Sequence, residues 1–452
     1  MQLYNASMKK TKQTLCLNMI VKNEAEIIEQ SLEKLLAHFT FQYWVICDTG
    51  STDETKTIIR SFFQSKKIPG ELIETEWKDF GHNRTLALQN SYKKGDYALI
   101  WDADDELNGT FVLPKPLAAD AYSLSFANDQ TNLRYSRPIL VNNHKKWKYV
   151  GVLHEYLAYE ETGLPPASVH HSGEYTIQSG RSGSRNKDPF KYAKDAEILR
   201  KALVETDPMT SLYGRYAFYC GNSYYNAKQF NESLQFYEAV LVSNAWIQEK
   251  YVSCLRIYEA YEHLGQAEKG LSYLERSYIF DSCRVECIYR LIKHYCIKDR
   301  HNISLSYYTN IQNYYENQYL KDNIGKRLFA YNMDYTFHLP YFMIIVADKT
   351  KRHEIGLKMY DILFTKCDLG PSAWHLNNVF FNIQFFFPCF SAKHSDFMLR
   401  FLNSMFVYIN TMREKKNYRI EPKHISHILK FIDALPGKKL PESIIQWKSE
   451  NV

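Results

Sequence analysis

The chain has 452 residues, 45% hydrophobic and 23% charged, which excludes a disordered tail and allows two or three domains. A formal charge of +6 over that length is too dilute to indicate a nucleic-acid partner.

From the start, short β-type runs alternate with helical stretches. The runs are Thr14–Ile20, Tyr43–Cys47, Glu71–Thr75, Tyr97–Trp101, Ala121–Phe126 and Leu133–Val141. Helical patterns over Glu24–His38, Thr52–Gln64 and Asn83–Lys93 separate the first four. This alternation predicts an open, mainly parallel α/β sheet; the last two runs, with no helix between them, predict an antiparallel addition. The stretch QSGRSGSRNKD, Gln178–Asp188, reads as a linker or mobile loop, and after Phe190 the pattern is helical.

The helical half carries a repeat of about 35 residues. Gly221, Tyr224, Ser233, Tyr237 and Val240 are echoed by Tyr258, Tyr261, Gly270, Leu274 and Ser277, and again by Ile292, Tyr295, Ser304, Tyr308 and Ile311. Small and aromatic residues at these offsets resemble the tetratricopeptide repeat, a pair of antiparallel helices. One such pair cannot bury its own apolar face, so three stacked pairs with flanking helices are expected. The predicted division is 1–185, an α/β domain; 190–320, helical repeats; and 321–452, a C-terminal helical region.

The longest apolar runs, near Tyr341–Ala347 and Phe385–Phe390, fall far short of the about 18 residues a membrane span needs. The first residues show no apolar core of signal-peptide length. Nine scattered cysteines without a CxxC pair read as thiols of a reducing, cytoplasmic compartment.

The chemistry concentrates at strand ends. YALIWDADDEL, Tyr97–Leu107, runs from an apolar strand into Asp102, Asp104, Asp105 and Glu106. Clustered carboxylates repel one another, and at the carboxyl end of a parallel strand they occupy the ligand-binding edge of an α/β sheet. A hard divalent cation, Mg²⁺ or Mn²⁺, would neutralise them and share its other sites with phosphate oxygens. The alternative is a solvated acidic turn. The second strand ends at Cys47-Asp48, followed by TGSTDET. Thr52, or Asp53, is expected to cap the next helix, which leaves Asp48 unexplained by capping.

LCLNMIVKNEAEIIEQSL, VICDTGSTDET, WKDFGHNRTLAL and LIWDADDEL, in that order over about Leu15–Leu107, resemble the catalytic domain of family 2 glycosyltransferases with the GT-A fold. C-terminal tetratricopeptide repeats accompany such domains in bacterial and viral relatives. The resemblance implies an α/β, Rossmann-like nucleotide-sugar-binding sheet followed by an α-helical repeat region. It also implies inverting transfer from a nucleotide-sugar, usually a UDP-sugar, with Mn²⁺ or Mg²⁺ on the diphosphate.

Carried over by position, Asp102-Ala103-Asp104 resembles the Asp-x-Asp motif. Asp104 would ligate the metal, and Asp102 would contact the ribose, or the metal through water. Asp48 would accept the ring N–H of the base, and Val21, Asn23 and Glu24 would line the nucleotide pocket. Arg84 falls where relatives place a guanidinium near the diphosphate, although Asn83-Arg84-Thr85 stands here where many have Arg-Asn. His154-Glu155, in WKYVGVLHEYL, resembles a His-Glu that follows the acidic motif in relatives with a repeat tail; Glu155 is the candidate general base, with Asp105 and Glu106 competing. In VHHSG, His171 is the candidate third metal ligand and His170 its reserve. The basic segment RSGSRNK, Arg181–Lys187, would fold over the diphosphate or serve as a linker.

The implied partners are a nucleotide-sugar donor, a protein or glycan acceptor, and a second copy bound through the repeats. Two other readings are a repeat scaffold on a decayed catalytic domain and a nucleotidyltransferase. The intact Asp48, Asp102 and Asp104 oppose the first. Lys22-Asn23-Glu24, with no glycine after the first strand, opposes the second.

Overall fold

The computed structural model describes residues 13–128, 133–180, 188–318 and 327–366, with shorter stretches between 378 and 451. The basic segment 181–187 and the first twelve residues lie outside the described residues.

Four parallel strands form the heart of the first half: β1 (Leu15–Val21), β2 (Tyr43–Asp48), β3 (Gly70–Glu74) and β4 (Tyr97–Ile100). Nearly every residue of β1, β2 and β4 is buried, as expected of strands covered on both faces. Helices α1 (Ile28–His38), α2 (Thr55–Lys66) and α3 (Phe80–Ser91) connect them. Helix α1 turns Ile28, Leu32 and Leu35 inward, one per turn, onto a core that includes Leu17, Met19 and Trp101.

The addition to the parallel core is larger than the sequence predicts and is only partly antiparallel. β5 (Glu106–Gly109), β6 (Ala121–Asn128), β7 (Leu133–Asn142), β10 (Ser168–His170) and β11 (Tyr175–Gln178) extend the sheet, and β8 (Trp147–Val150) pairs with β9 (Tyr156–Tyr159) apart from it. The main order is β3-β2-β1-β4-β7-β6-β11-β5, with β10 beside β6. Strand β7 is antiparallel to both β4 and β6. Chain order reverses at β1, which lies between β2 and β4 and so places a crevice at their carboxyl ends.

The helical half begins with α4 (Lys191–Glu205), α5 (Ser211–Asn226), α6 (Phe230–Val242), α7 (Ile247–His263), α8 (Ala267–Arg276), α9 (Glu286–Ile297) and α10 (His301–Asn317). The three repeat sets fall in order on α5 and α6, on α7 and α8 with Ser277 just beyond, and on α9 and α10. Their counterparts Tyr237, Leu274 and Tyr308 are fully buried, and Ser233 and Ser304 are the small buried residues that precede two of them. A side chain at Gly221 would collide with the Tyr237 ring, which explains a glycine there. Many tyrosines therefore serve as core.

The chain packs as two compact units, Met1–Gly265 with Gly325–Phe329, and Gln266–Ile324 with Ala330–Val452. Helices α4 to α7 thus share a unit with the sheet. In the second unit Arg284 and Glu286 form a wholly buried ion pair at 2.7 Å, and the Tyr335 hydroxyl donates to Glu286 at 3.0 Å. No disulfide joins the described cysteines. No described helix is long and apolar enough to cross a membrane.

Candidate active site

The loops after β1 and β2 are tied together by side chains. Asn23, at φ +54°, accepts the Thr52 amide on Oδ1 at 2.8 Å and donates its own amide to Ser51 Oγ at 2.9 Å. The Glu24 amide donates to Thr55 Oγ1, and the Ala25 amide to Asp53. Asp53, rather than Thr52, receives the Thr55 amide at the start of α2. These bonds delay α1 to Ile28, four residues after the predicted start, because the intervening backbone is committed to the neighbouring loop.

Asp48 closes β2 opposite the buried Val21. Its Oδ1 accepts the amides of Gly50 and Ser51, while Oδ2 is buried with no hydrogen-bond partner. An unsatisfied buried carboxylate oxygen is costly, so one beside the strand-end crevice is suited to a donor brought by a ligand.

Arg84 is delivered by α3. Asn83, fully buried, accepts the Lys78 amide and donates to the Glu76 carbonyl, fixing the entry to the helix. The Arg84 guanidinium then bridges two carboxylates, with Nη2 2.7 Å from Asp102 Oδ1 and Nε 2.8 Å from Glu155 Oε1. Arg137, on β7, lies over the Phe126 ring and pairs with Asp102 at 3.3 Å and Asp105 at 2.9 Å. Five side chains from α3, β7, the end of β4 and the β8–β9 connection thus form one charged network.

The network separates its carboxyl groups. Burial opposes ionisation of Asp102, but Arg84 and then Arg137 outweigh it and hold the group at about 2. Burial pushes Asp105 up to about 7, Arg137 opposing and the carboxylates of Asp102 and Asp104 adding to the rise. Two carboxyl groups driven apart in this way suit separate electrostatic and proton-transfer tasks. Glu106 is half-exposed and paired with Lys34 at 2.6 Å.

The chemistry of the strand-end donors fits a hard divalent cation. Asp104 and Asp102 offer carboxylate oxygens, and Mg²⁺ or Mn²⁺ bound through one or two of these takes its other ligands from phosphate and water. Asp102 is paired with two guanidinium groups, Arg84 and Arg137. Among the described residues no three His, Cys, Asp or Glu side chains come together to hold an ion by themselves. His171 does not complete a set with Asp102 and Asp104. Its ring packs against Phe111 and Tyr175, and its carbonyl accepts the Tyr175 hydroxyl at 2.6 Å. His170 is exposed, 3.5 Å from Ser125 Oγ.

Residues 16–119 match the family model described as Glycosyl transferase family 2. The match takes in Asp48, Arg84, Asp102, Asp104 and Asp105, and with the sheet order it gives the first half a Rossmann-like, GT-A-type fold followed by an all-α region. No curated protein matches the chain. Among solved structures, a mannosyltransferase from Pyrobaculum calidifontis in complex with GDP-Man and Mn²⁺ is similar at 12% identity and a TM-score of 0.32, over 69% of this chain and 89% of that one. TarS 1-349 of S. aureus in complex with UDP-GlcNAc is similar at 14% identity and a TM-score of 0.30, over 69% and 94%. Likenesses so slight carry no weight for donor or mechanism.

Arg137 is the site residue that sequence reasoning misses. It stands in LRYSRPILV, where nothing but its charge, shared with Arg134, marks it on a β-type run.

Proposed function

We propose that the protein is an inverting glycosyltransferase using a UDP-sugar donor and a protein or glycan acceptor. The observation that carries this reading is the Arg84 bridge, which places the acidic strand end and Glu155 on one guanidinium. Asp48 Oδ2 accepts the ring N–H of the base, and Val21, Asn23 and Glu24 shape the ledge beneath the nucleotide. Arg84 and Arg137 face the diphosphate, whose oxygens compete with Asp102 for their N–H groups. Asp104, with Asp102, would hold a divalent ion, which would neutralise the charge that develops on the departing diphosphate.

In the transfer, an acceptor oxygen forms a bond to the anomeric carbon as the bond from that carbon to the β-phosphate oxygen breaks. The acceptor proton passes to Glu155, and the nucleoside diphosphate leaves on the opposite face. Asp105, buried and paired with Arg137, is the reserve base. The helical pairs are proposed as tetratricopeptide-like repeats that receive the acceptor or a second copy.

The test is donor hydrolysis with a panel of UDP- and GDP-sugars, with and without Mn²⁺. Release of nucleoside diphosphate from one of them supports the reading. No release, together with no UDP binding in calorimetry, would overturn it.

A further inference from the structure

We infer that helix α5 belongs to the catalytic apparatus, with Arg215, Tyr216 and Tyr219 as positioning residues for the segment that presents Glu155. The inference rests on the proposed role of Glu155.

Glu155 lies in a five-residue connection, Gly151–Glu155, between the short strands β8 and β9. Two of its residues take left-handed backbone, Gly151 at φ +112° and His154 at φ +55°. Glycine adopts this freely; for histidine it is unfavourable, and such a conformation persists only where the surroundings over-determine it. A four-residue hairpin pair is a weak frame for that.

The surroundings are supplied by the helical half. Tyr216 accepts the Val152 amide on its hydroxyl at 2.9 Å. Arg215 Nε donates to the His154 carbonyl at 2.9 Å. The Tyr219 ring lies flat against the His154 ring, with centroids 3.9 Å apart and planes 12° from parallel. Leu153 is buried in a cluster with Leu199, Ala202, Tyr216 and Cys220. All three α5 side chains therefore engage consecutive parts of one connection.

Arg215 is itself held. Glu249, 2% exposed and on α7, pairs with its Nη1 at 3.3 Å, and the guanidinium faces the rings of Tyr156 and Tyr219. On the other side the Phe80 amide of α3 donates to the Val152 carbonyl, and Gly81 approaches the Gly151 carbonyl so closely that a side chain there would collide. The connection is gripped between α3, which carries Arg84, and α5. The left-handed turn at His154 immediately precedes Glu155, whose carboxylate meets Arg84 Nε. Loosening α5 would therefore free Glu155 without touching the strand ends that hold the nucleotide.

The experiment uses the full chain with Tyr216→Phe, Arg215→Met, Arg215→Lys and Tyr219→Leu. The first deletes one acceptor while keeping the ring, so it tests the idea without a packing defect. Amide hydrogen exchange over residues 150–157 should quicken by about tenfold in Tyr216→Phe and Arg215→Met, with β1 and β2 unchanged. With the UDP-sugar that the wild type hydrolyses fastest, turnover should fall by roughly ten- to a hundredfold while UDP affinity is little changed. Arg215→Lys should recover part of the loss, and Arg215→Met should add little in a Glu155→Gln background, since both act through one group. Unaltered exchange over 150–157 would overturn the inference, as would a loss of UDP affinity matching the loss of turnover. If Glu155→Gln leaves turnover normal, the catalytic reading of Glu155 fails, and the exchange measurement still decides whether α5 holds the segment.

Discussion

Arg137 donates to Asp105 at 2.9 Å across the gap between β7 and the end of β4, yet burial pushes the Asp105 carboxyl well above the usual carboxylate range, to about 7. Burial outweighs the guanidinium. In the unfolded chain the same carboxyl titrates near about 3.9. Between these values the folded protein keeps a proton that the unfolded chain has lost, so this group makes stability fall as pH rises from about 4 to 7, and the loss levels off above that. Asp105→Asn, which imitates the protonated form, should flatten that part of the stability profile. Thermal melts at pH 5 and pH 7.5 compare the two proteins. An identical pH dependence would mean that Asp105 is ionised throughout.

Asp48→Asn keeps an oxygen for the Gly50 and Ser51 amides and replaces the unpartnered Oδ2 with an NH₂ donor. UDP affinity should weaken by about tenfold or more, while the melting temperature holds. Unchanged affinity in calorimetry would reduce Asp48 to the cap of its own turn.

Glu155→Gln keeps shape and removes basicity. Turnover should fall by roughly a hundredfold with little effect on UDP binding. Near-normal turnover would pass the role to Asp105 or Glu106, and of these only the variant at the true base would move the acidic limb of the rate profile.

Asp104→Ala should abolish the part of the activity that depends on added Mn²⁺ or Mg²⁺ while the chain stays folded by circular dichroism. Full activity of this variant in chelator-treated buffer would end the metal proposal.

A fragment ending at Lys187 would lose the partners of Leu153 and of the Val152 amide, both supplied from α4 and α5. The exposed apolar flank should make it aggregate. A soluble fragment that still transfers to its acceptor at the full-length rate would show that the helices are dispensable to the site.

The strands β1 to β4, their helices and the acidic residues at their ends are legible in the sequence because each is written locally. Period-two and period-3.6 patterns need only a short window, and Asp48 and Asp102 announce themselves as carboxylates at the ends of apolar runs. Small and aromatic positions such as Ser233 and Tyr237 are buried in the helical half, where the sequence pattern expects core. Strands β5, β8, β9, β10 and β11 have three or four residues each, too few for a period, and β11 gains its place only by pairing with the distant β5 and β6. The partners of the site were hidden for the same reason. Arg137 reaches Asp102 through the antiparallel turn of β7 beside β4, and Arg215 reaches His154 from a helix that sequence alone assigns to another domain. Side chains far apart in the chain meet only when burial of the whole apolar surface brings their elements together, so tertiary structure alone decided which cations the acidic strand end would face.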